Sequence, residues 1–163
     1  MNYVIRLLLL WLLCLFSVFL HETGHALGYW IAAGKQKWKV IAGSGPKIVS
    51  IGRYTFCLIP VGGYFIPEEE EKTKKEKLMI LSGGPLGSLL LTVLFGVLRL
   101  CFFGTDQTGS ALYDILFPVS NFLLLFNFFQ FLFTAIPMRY RIVCRGQESD
   151  GLQMIHVLKH EKL

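Results

Sequence analysis

Three long apolar runs are the feature that most constrains how this chain can fold. They cover residues about 4–33, 78–103 and 111–138, each near or above the roughly 20 residues that a helix needs to cross about 30 Å of hydrocarbon. At 53% hydrophobic residues in 163 positions, the chain is too apolar for an ordinary soluble domain. No small-residue cleavage site follows Leu20, so we interpret the first run as a retained span. We therefore expect a mainly α, polytopic protein with about three transmembrane helices in a lipid bilayer.

The distribution of basic residues predicts how the spans are oriented. Most lysines and arginines lie within residues 34–77 or after residue 138, and none lies in the short connection 104–110. Because basic loops stay on the cytoplasmic side, we expect the N-terminus outside, with the first loop and the tail 139–163 in the cytoplasm. The formal net charge of +5 is thus explained by membrane topology, and we predict no nucleic-acid partner.

The segment between the first two spans has the composition of short strands. Residues about 38–67, "WKVIAGSGPKIVSIGRYTFCLIPVGGYFIP", alternate β-prone runs with Gly and Pro, which predicts a small β element at the cytoplasmic side. The charged run 68–78 indicates a solvated helix start or a linker. The tail predicts a turn and a short helix, and Pro118 a kink in the third span. With no internal repeat, residues 1–163 are interpreted as a single domain.

The stretch "FLHETGHALGYW" places two histidines and a glutamate inside the first span. His21 and His25 are four residues apart, so on a helix both imidazoles project from one face and can reach one metal ion. With Glu22 this forms the HExxH pattern, in which the histidines bind Zn²⁺ and the glutamate takes a proton from water. Ionisable groups inside a span are costly and usually functional. The alternative is that these side chains only make interhelical hydrogen bonds.

A catalytic zinc commonly has three protein ligands, so a third must come from elsewhere in the chain. About 18 residues precede His21 in the first span, roughly 27 Å of helix rise, which puts it toward the cytoplasmic end. Asp114 belongs near the outer end of the third span, whereas Glu148 and Asp150 follow its cytoplasmic end. We favour Asp150, because the neighbouring Gly151 lets the backbone turn closely around the site.

Four short motifs are spread over most of the chain. They are "HETGH" in the first span, "IPVGGYFIP" in the loop, "SGGPLGSLLLT" at the second span, and "FTAIP" followed by "SDG" after the third. In this order they resemble the site-2 protease family of intramembrane zinc metalloproteases, in a minimal three-span form. The resemblance implies a core that cuts a partner's transmembrane segment near the cytoplasmic face. It also implies that His21, His25 and Asp150 ligate zinc and that Glu22 is the general acid/base.

The same resemblance predicts roles for the glycines of the second and third motifs, "IPVGGYFIP" and "SGGPLGSLLLT". Gly62 and Gly63 match a glycine pair in a membrane-associated β element that borders substrate entry, where an unwound substrate could add as a strand. The alternative is a simple glycine turn. The glycines of residues 82–92 would permit close helix approach, with Gly24 and Gly28 of the first span facing them.

The last motif departs from the family pattern. Family members commonly carry asparagine three residues before the proline matched by Pro137, and this chain has Thr134 there. Asn127 lies seven residues earlier, roughly 10 Å along a helix. We name Thr134 and Asn127 as candidates for substrate binding or oxyanion stabilisation, with helix packing as the alternative for Asn127.

These features predict an integral, multi-pass intramembrane zinc metalloprotease. It would hydrolyse a peptide bond in or near the transmembrane segment of a membrane protein substrate, with any regulatory part supplied by a separate membrane partner. The alternative is a catalytically inactive metal-binding membrane protein that acts as a regulatory or binding subunit. Retention of Glu22 argues against it, because metal binding alone needs no general base. An ion transporter is a third interpretation, which the lack of an internal repeat disfavours.

Overall fold

Within the described residues, the fold comprises four helices and one small sheet. The structure, a computed structural model, describes residues 3–34, 37–68, 73–103, 111–141 and 146–159. The elements in chain order are α1 (Tyr3–Ala33), β1 (Trp38–Ile51), β2 (Tyr54–Pro67), α2 (Lys74–Phe103), α3 (Ala111–Ala135) and α4 (Asp150–Lys159). In the part of the chain that the structure describes, three helices, α1 to α3, are long and apolar enough to cross a membrane. The predicted class is confirmed: mainly helical, three candidate spans, and a two-stranded sheet between the first two helices.

Local sequence features set the start of α2 and the end of α3. α2 begins within the charged run, because the Thr73 hydroxyl accepts a hydrogen bond from the Glu76 backbone N–H at 3.2 Å and caps the first turn. The second half of that run is therefore a helix start. α3 contains Pro118 and ends at Ala135, just before the residue that precedes Pro137. The connection 104–110 lies outside the described residues.

The sheet is an antiparallel pair in which β1 bends sharply. Gly43 and Gly45 have φ values of 84° and 77°, a left-handed conformation that glycine adopts at little cost. Residues before the bend pair with both ends of β2, so that Val40 faces Phe65 on one side and Tyr54 on the other. The start of β1 is thus a central strand, flanked by the two ends of β2.

The sheet packs along α1 instead of beyond its end. The Trp11 indole N–H donates to the Leu58 carbonyl at 2.7 Å, and the ring of Phe19 lies 5.1 Å from that of Tyr54. Further along α1, the Tyr29 ring lies 5.5 Å from Phe65. The contacts extend over much of a helix that is apolar enough to span a bilayer. Which membrane face the sheet approaches stays a prediction.

Helices α1 and α2 approach each other at backbone distance. A Cβ added to Gly24 would overlap the Gly83 carbonyl, and one added to Gly83 would overlap the Gly24 carbonyl. Gly28 lies in the same way against the Met79 carbonyl. Small residues at these crossings therefore allow the two helices to pack closely, as expected for spanning helices.

The described residues that flank the connection between α3 and α4 pair with each other in an antiparallel manner. The Ser149 N–H donates to the Met138 carbonyl at 2.9 Å. The backbones of Arg139 and Glu148 pair as an isolated antiparallel β-bridge. The predicted terminal helix is confirmed as α4, which begins at Asp150. A Cβ on Gly151 would overlap the Ala135 carbonyl, so glycine allows the start of α4 to lie against the end of α3.

Candidate active site

The HExxH segment lies in the second half of α1 with its polar side chains buried. His21, Glu22 and His25 are 3%, 6% and 6% exposed. The i, i+4 spacing brings the two imidazoles onto one face, where their ring centroids are 5.0 Å apart. Three ionisable groups thus lie inside a candidate span, turned toward protein.

Helix α2 holds both imidazoles through their Nδ1 atoms. His21 Nδ1 lies 2.8 Å from Ser88 Oγ, and His25 Nδ1 lies 2.7 Å from the Ile80 carbonyl oxygen. A carbonyl only accepts, so His25 Nδ1 carries the proton and its Nε2 has a free lone pair. Such an outer hydrogen bond is the usual means of fixing a metal-binding histidine.

The first residue of α4 completes a group of three candidate ligands. Asp150 Oδ2 lies 3.6 Å from Nε2 of His21 and 3.6 Å from Nε2 of His25, and the three ligand atoms lie within 4.8 Å of one another. Two atoms bonded to one tetrahedral Zn²⁺ at about 2.0–2.1 Å would be roughly 3.4 Å apart. Two imidazoles and a carboxylate are also a ligand set that zinc prefers, so these residues fit the metal.

The competing carboxylate Glu148 makes a different set of contacts. Its Oε1 lies 2.5 Å from an Arg139 guanidinium nitrogen, and its Oε2 lies 3.2 Å from His156 Nδ1. The hydrogen bond from Arg139 is the main reason that the pKa of Glu148 lies below its ordinary value, with a smaller contribution from the His156 charge. Glu148 is therefore a partly exposed residue that pairs with Arg139 and His156. The side chain of Asp114 lies outside the described part of the chain.

Two glycines, because they have no side chain, make room for the buried side chains of His21, His25 and Glu22. A Cβ on Gly84 would overlap the Nε2 atoms of both histidines, so both rings pack directly against the α2 backbone at this residue. A Cβ on Gly63 would lie 2.6 Å from Glu22 Oε1 and 2.7 Å from its Cγ. The structure thus brings Gly63 of the predicted pair against Glu22. Gly62 has a φ of 69°, which explains glycine there by conformation alone.

The structure places Asn127 and Thr134 on α3, with their protons already donated. Asn127 is fully buried, and its Nδ2 donates to Ser17 Oγ at 3.2 Å and to the Leu123 carbonyl at 2.8 Å. The Thr134 hydroxyl donates within its own helix, at 2.9 Å from the Gln130 carbonyl. Neither side chain donates to the histidines or to Asp150.

Sequence reasoning missed the residues that support the candidate ligands. Ser88 lies in the quoted motif "SGGPLGSLLLT", but its pairing with His21 depends on which face of α2 turns toward α1. Ser149, 1% exposed, directly precedes Asp150 and caps α4. A serine before a predicted helix is a recognised capping signal that was available in the sequence.

Comparison with known families gives one match that covers most of the chain. The model described as Peptidase family M50 matches residues 9–157. No curated protein and no solved structure matches the chain. The family is zinc-dependent, in agreement with the ligand set above, and the three apolar helices fit a multi-pass membrane protein. The chain belongs to Peptidase family M50, the site-2 protease family of metalloproteases.

Proposed function

We propose that this protein is an intramembrane zinc metalloprotease that hydrolyses a peptide bond in or near the transmembrane segment of a membrane protein. The observation that carries the proposal is the convergence of His21, His25 and Asp150 atoms within 4.8 Å, beside a buried glutamate. These three residues would hold the ion. When bound, Zn²⁺ supplies Lewis acidity toward the scissile carbonyl and lowers the pKa of a water molecule.

Glu22 would act as the general acid/base. Its carboxylate takes a proton from the attacking water and returns it to the leaving amine, so that the two steps share one group. Its burial excludes bulk water that would compete for that proton. Its contact with Gly63 limits how far the side chain can swing toward β2.

The substrate must expose its backbone before attack. Helical carbonyls are engaged in i to i+4 hydrogen bonds, so a spanning segment has to unwind locally at the cut. The end of β2 that contains Gly63 lies beside Glu22 and could pair with the unwound segment as an added strand. Asn127 and Thr134 stay candidates for substrate or oxyanion contact, and either would first have to release a hydrogen bond described above.

The proposed orientation has the N-terminus outside and both the candidate site and the C-terminal tail toward the cytoplasm. It is supported by the basic residues of the first loop and the tail. The proposed partner is a transmembrane protein substrate.

The test is cleavage of single-span substrates by the purified protein reconstituted in liposomes. We expect Glu22→Gln to lower the cleavage rate about 100- to 10,000-fold, the usual contribution of a general base, while zinc content stays at the wild-type level. Glu68→Gln makes the same chemical change at an exposed residue paired with Lys39, and should cleave normally. Cleavage that survives Glu22→Gln would reject the mechanism. Zinc binding without cleavage by the wild type would favour the non-catalytic subunit.

A further inference from the structure

Ser149 is a buried serine, directly before Asp150 in the chain, that links two segments of the structure. Its Oγ donates to the Ile136 carbonyl at 2.8 Å and accepts from the Met138 N–H at 3.0 Å. The same oxygen accepts from the Leu152 N–H at 3.2 Å. One hydroxyl thus links the segment after α3 to the first turn of α4.

The backbone of Ser149 adds two further ties. Its N–H donates to the Met138 carbonyl at 2.9 Å, and its own carbonyl accepts the Gln153 N–H at 3.0 Å. The side-chain bond to Leu152 has the geometry of an N-cap, three residues into the helix. Since Asp150 is the next residue along the chain, the position of its Cα follows directly from these bonds.

We propose that Ser149 is a positioning residue that sets the Asp150 carboxylate opposite the two imidazoles. The inference rests on the proposed metal site and extends it to a residue that touches neither metal nor substrate. An ordinary N-cap needs only an acceptor. Here the hydroxyl also donates to the Ile136 carbonyl. It therefore connects α4 to the residues that follow α3, in addition to capping the first turn of α4.

Three substitutions at Ser149 separate positioning from simple capping. Ser149→Ala removes the acceptor and the donor together. Ser149→Gly also removes the hydroxyl, but glycine is nearly as good an N-cap as serine, so α4 should still begin at the same residue. Ser149→Thr retains both hydroxyl functions. Ser120→Ala is the matched control, because that hydroxyl bonds to the Phe117 carbonyl within α3.

The measurement is zinc affinity of the full-length, detergent-solubilised protein by chelator competition, together with the visible spectrum of its Co²⁺ form, which reports ligand geometry. We expect Ser149→Ala and Ser149→Gly to bind zinc about 10-fold more weakly or worse and to alter the cobalt spectrum. Ser149→Thr should restore both properties, and Ser120→Ala should change neither. Wild-type affinity and spectrum in both the Ala and Gly variants would overturn the proposal.

A second measurement distinguishes failure of this inference from failure of the proposed function. Hydrogen exchange of the Met138 and Leu152 amides, measured without metal, should be slow in the wild type and fast in Ser149→Gly. Fast exchange in the wild type would overturn the positioning role by itself. A wild-type protein that binds no zinc would instead refute the proposed metalloprotease, whatever the exchange result.

Discussion

The two histidines and the aspartate of the candidate site are held by different kinds of structure. His21 and His25 lie on a long helix, with side chains 3% and 8% exposed, and their rings are hydrogen-bonded to α2. Asp150 is 14% exposed and begins a ten-residue helix after a turn. The histidine half is formed by close packing of two apolar helices, whereas the aspartate half combines one close backbone contact at Gly151 with a few hydrogen bonds. We therefore expect backbone changes to destroy the first half and hydrogen-bond changes to loosen the second.

The largest effect on zinc binding should come from adding a side chain at Gly84, beside the two histidine rings. Gly84→Ala places a methyl group where both Nε2 atoms lie, so we expect loss of stoichiometric zinc binding, measured by metal analysis after gel filtration. Gly96→Ala on the same helix is the control, since its added Cβ would meet Leu124 at 3.4 Å, an ordinary contact. Wild-type zinc content in Gly84→Ala would show that this half is not rigid.

Removing the carboxylate of the other half should have the next largest effect. Asp150→Ala leaves two imidazoles without their third partner, and we expect zinc affinity to fall at least about 100-fold, the upper end for loss of an outer partner. Glu148→Ala is the matched control, because that carboxylate pairs with Arg139 and His156. If Glu148→Ala lost zinc and Asp150→Ala kept it, the ligand assignment would be reversed.

A smaller effect is expected from the hydroxyl that orients the first histidine. Ser88→Ala removes the partner of His21 Nδ1 but leaves the α1 and α2 backbones in contact, so zinc affinity should fall about 10- to 100-fold. Thr92→Val, one turn along α2, removes a hydroxyl that bonds to the Ser88 backbone carbonyl and not to a histidine ring in the described structure. Equal affinities for the two variants would contradict a role of Ser88 in fixing the ring.

The smallest effect should come from the ion pair between Arg139 and the partly exposed Glu148, beside Asp150. Arg139→Gln removes the main cause of the lowered Glu148 pKa, so that pKa should rise toward its ordinary value, as measured by NMR titration of the carboxyl carbon. A carboxyl group whose pKa is lowered by folding stabilises the fold at pH values above its ordinary pKa. That contribution is lost as the pH falls through the lowered, folded-state pKa. In strong acid, where Glu148 is protonated in both proteins, the free energy of unfolding of Arg139→Gln should therefore differ little from that of the wild type. An unchanged Glu148 pKa would refute this assignment.

The same contrast explains how much of the site could be predicted from the sequence. His21, Glu22 and His25 form one local pattern, and helix geometry alone brings the two rings onto one face. The pairing with Asp150 was predicted from membrane depth and from the adjacent Gly151, and the structure places that carboxylate beside both rings. The three candidate membrane-spanning helices were predicted from their length and apolar composition.

The remaining features depend on long-range contacts that no local pattern specifies. The partners of the imidazoles, Ser88 and the Ile80 carbonyl, follow from the rotation of α2 against α1, which is set by the contact of Gly24 with Gly83. The double pairing of β1 follows from its glycine bend, and strand composition alone does not give that register.

The contact between α1 and α4 has a consequence for biosynthesis. The histidines are translated early, with the first helix, whereas Asp150 follows only after α2 and α3 have been synthesised. A ribosome-bound nascent chain would thus present its first helix without the carboxylate that completes the candidate ligand group. The enzyme we propose would remain inert toward neighbouring membrane proteins until its later helices have assembled around the first.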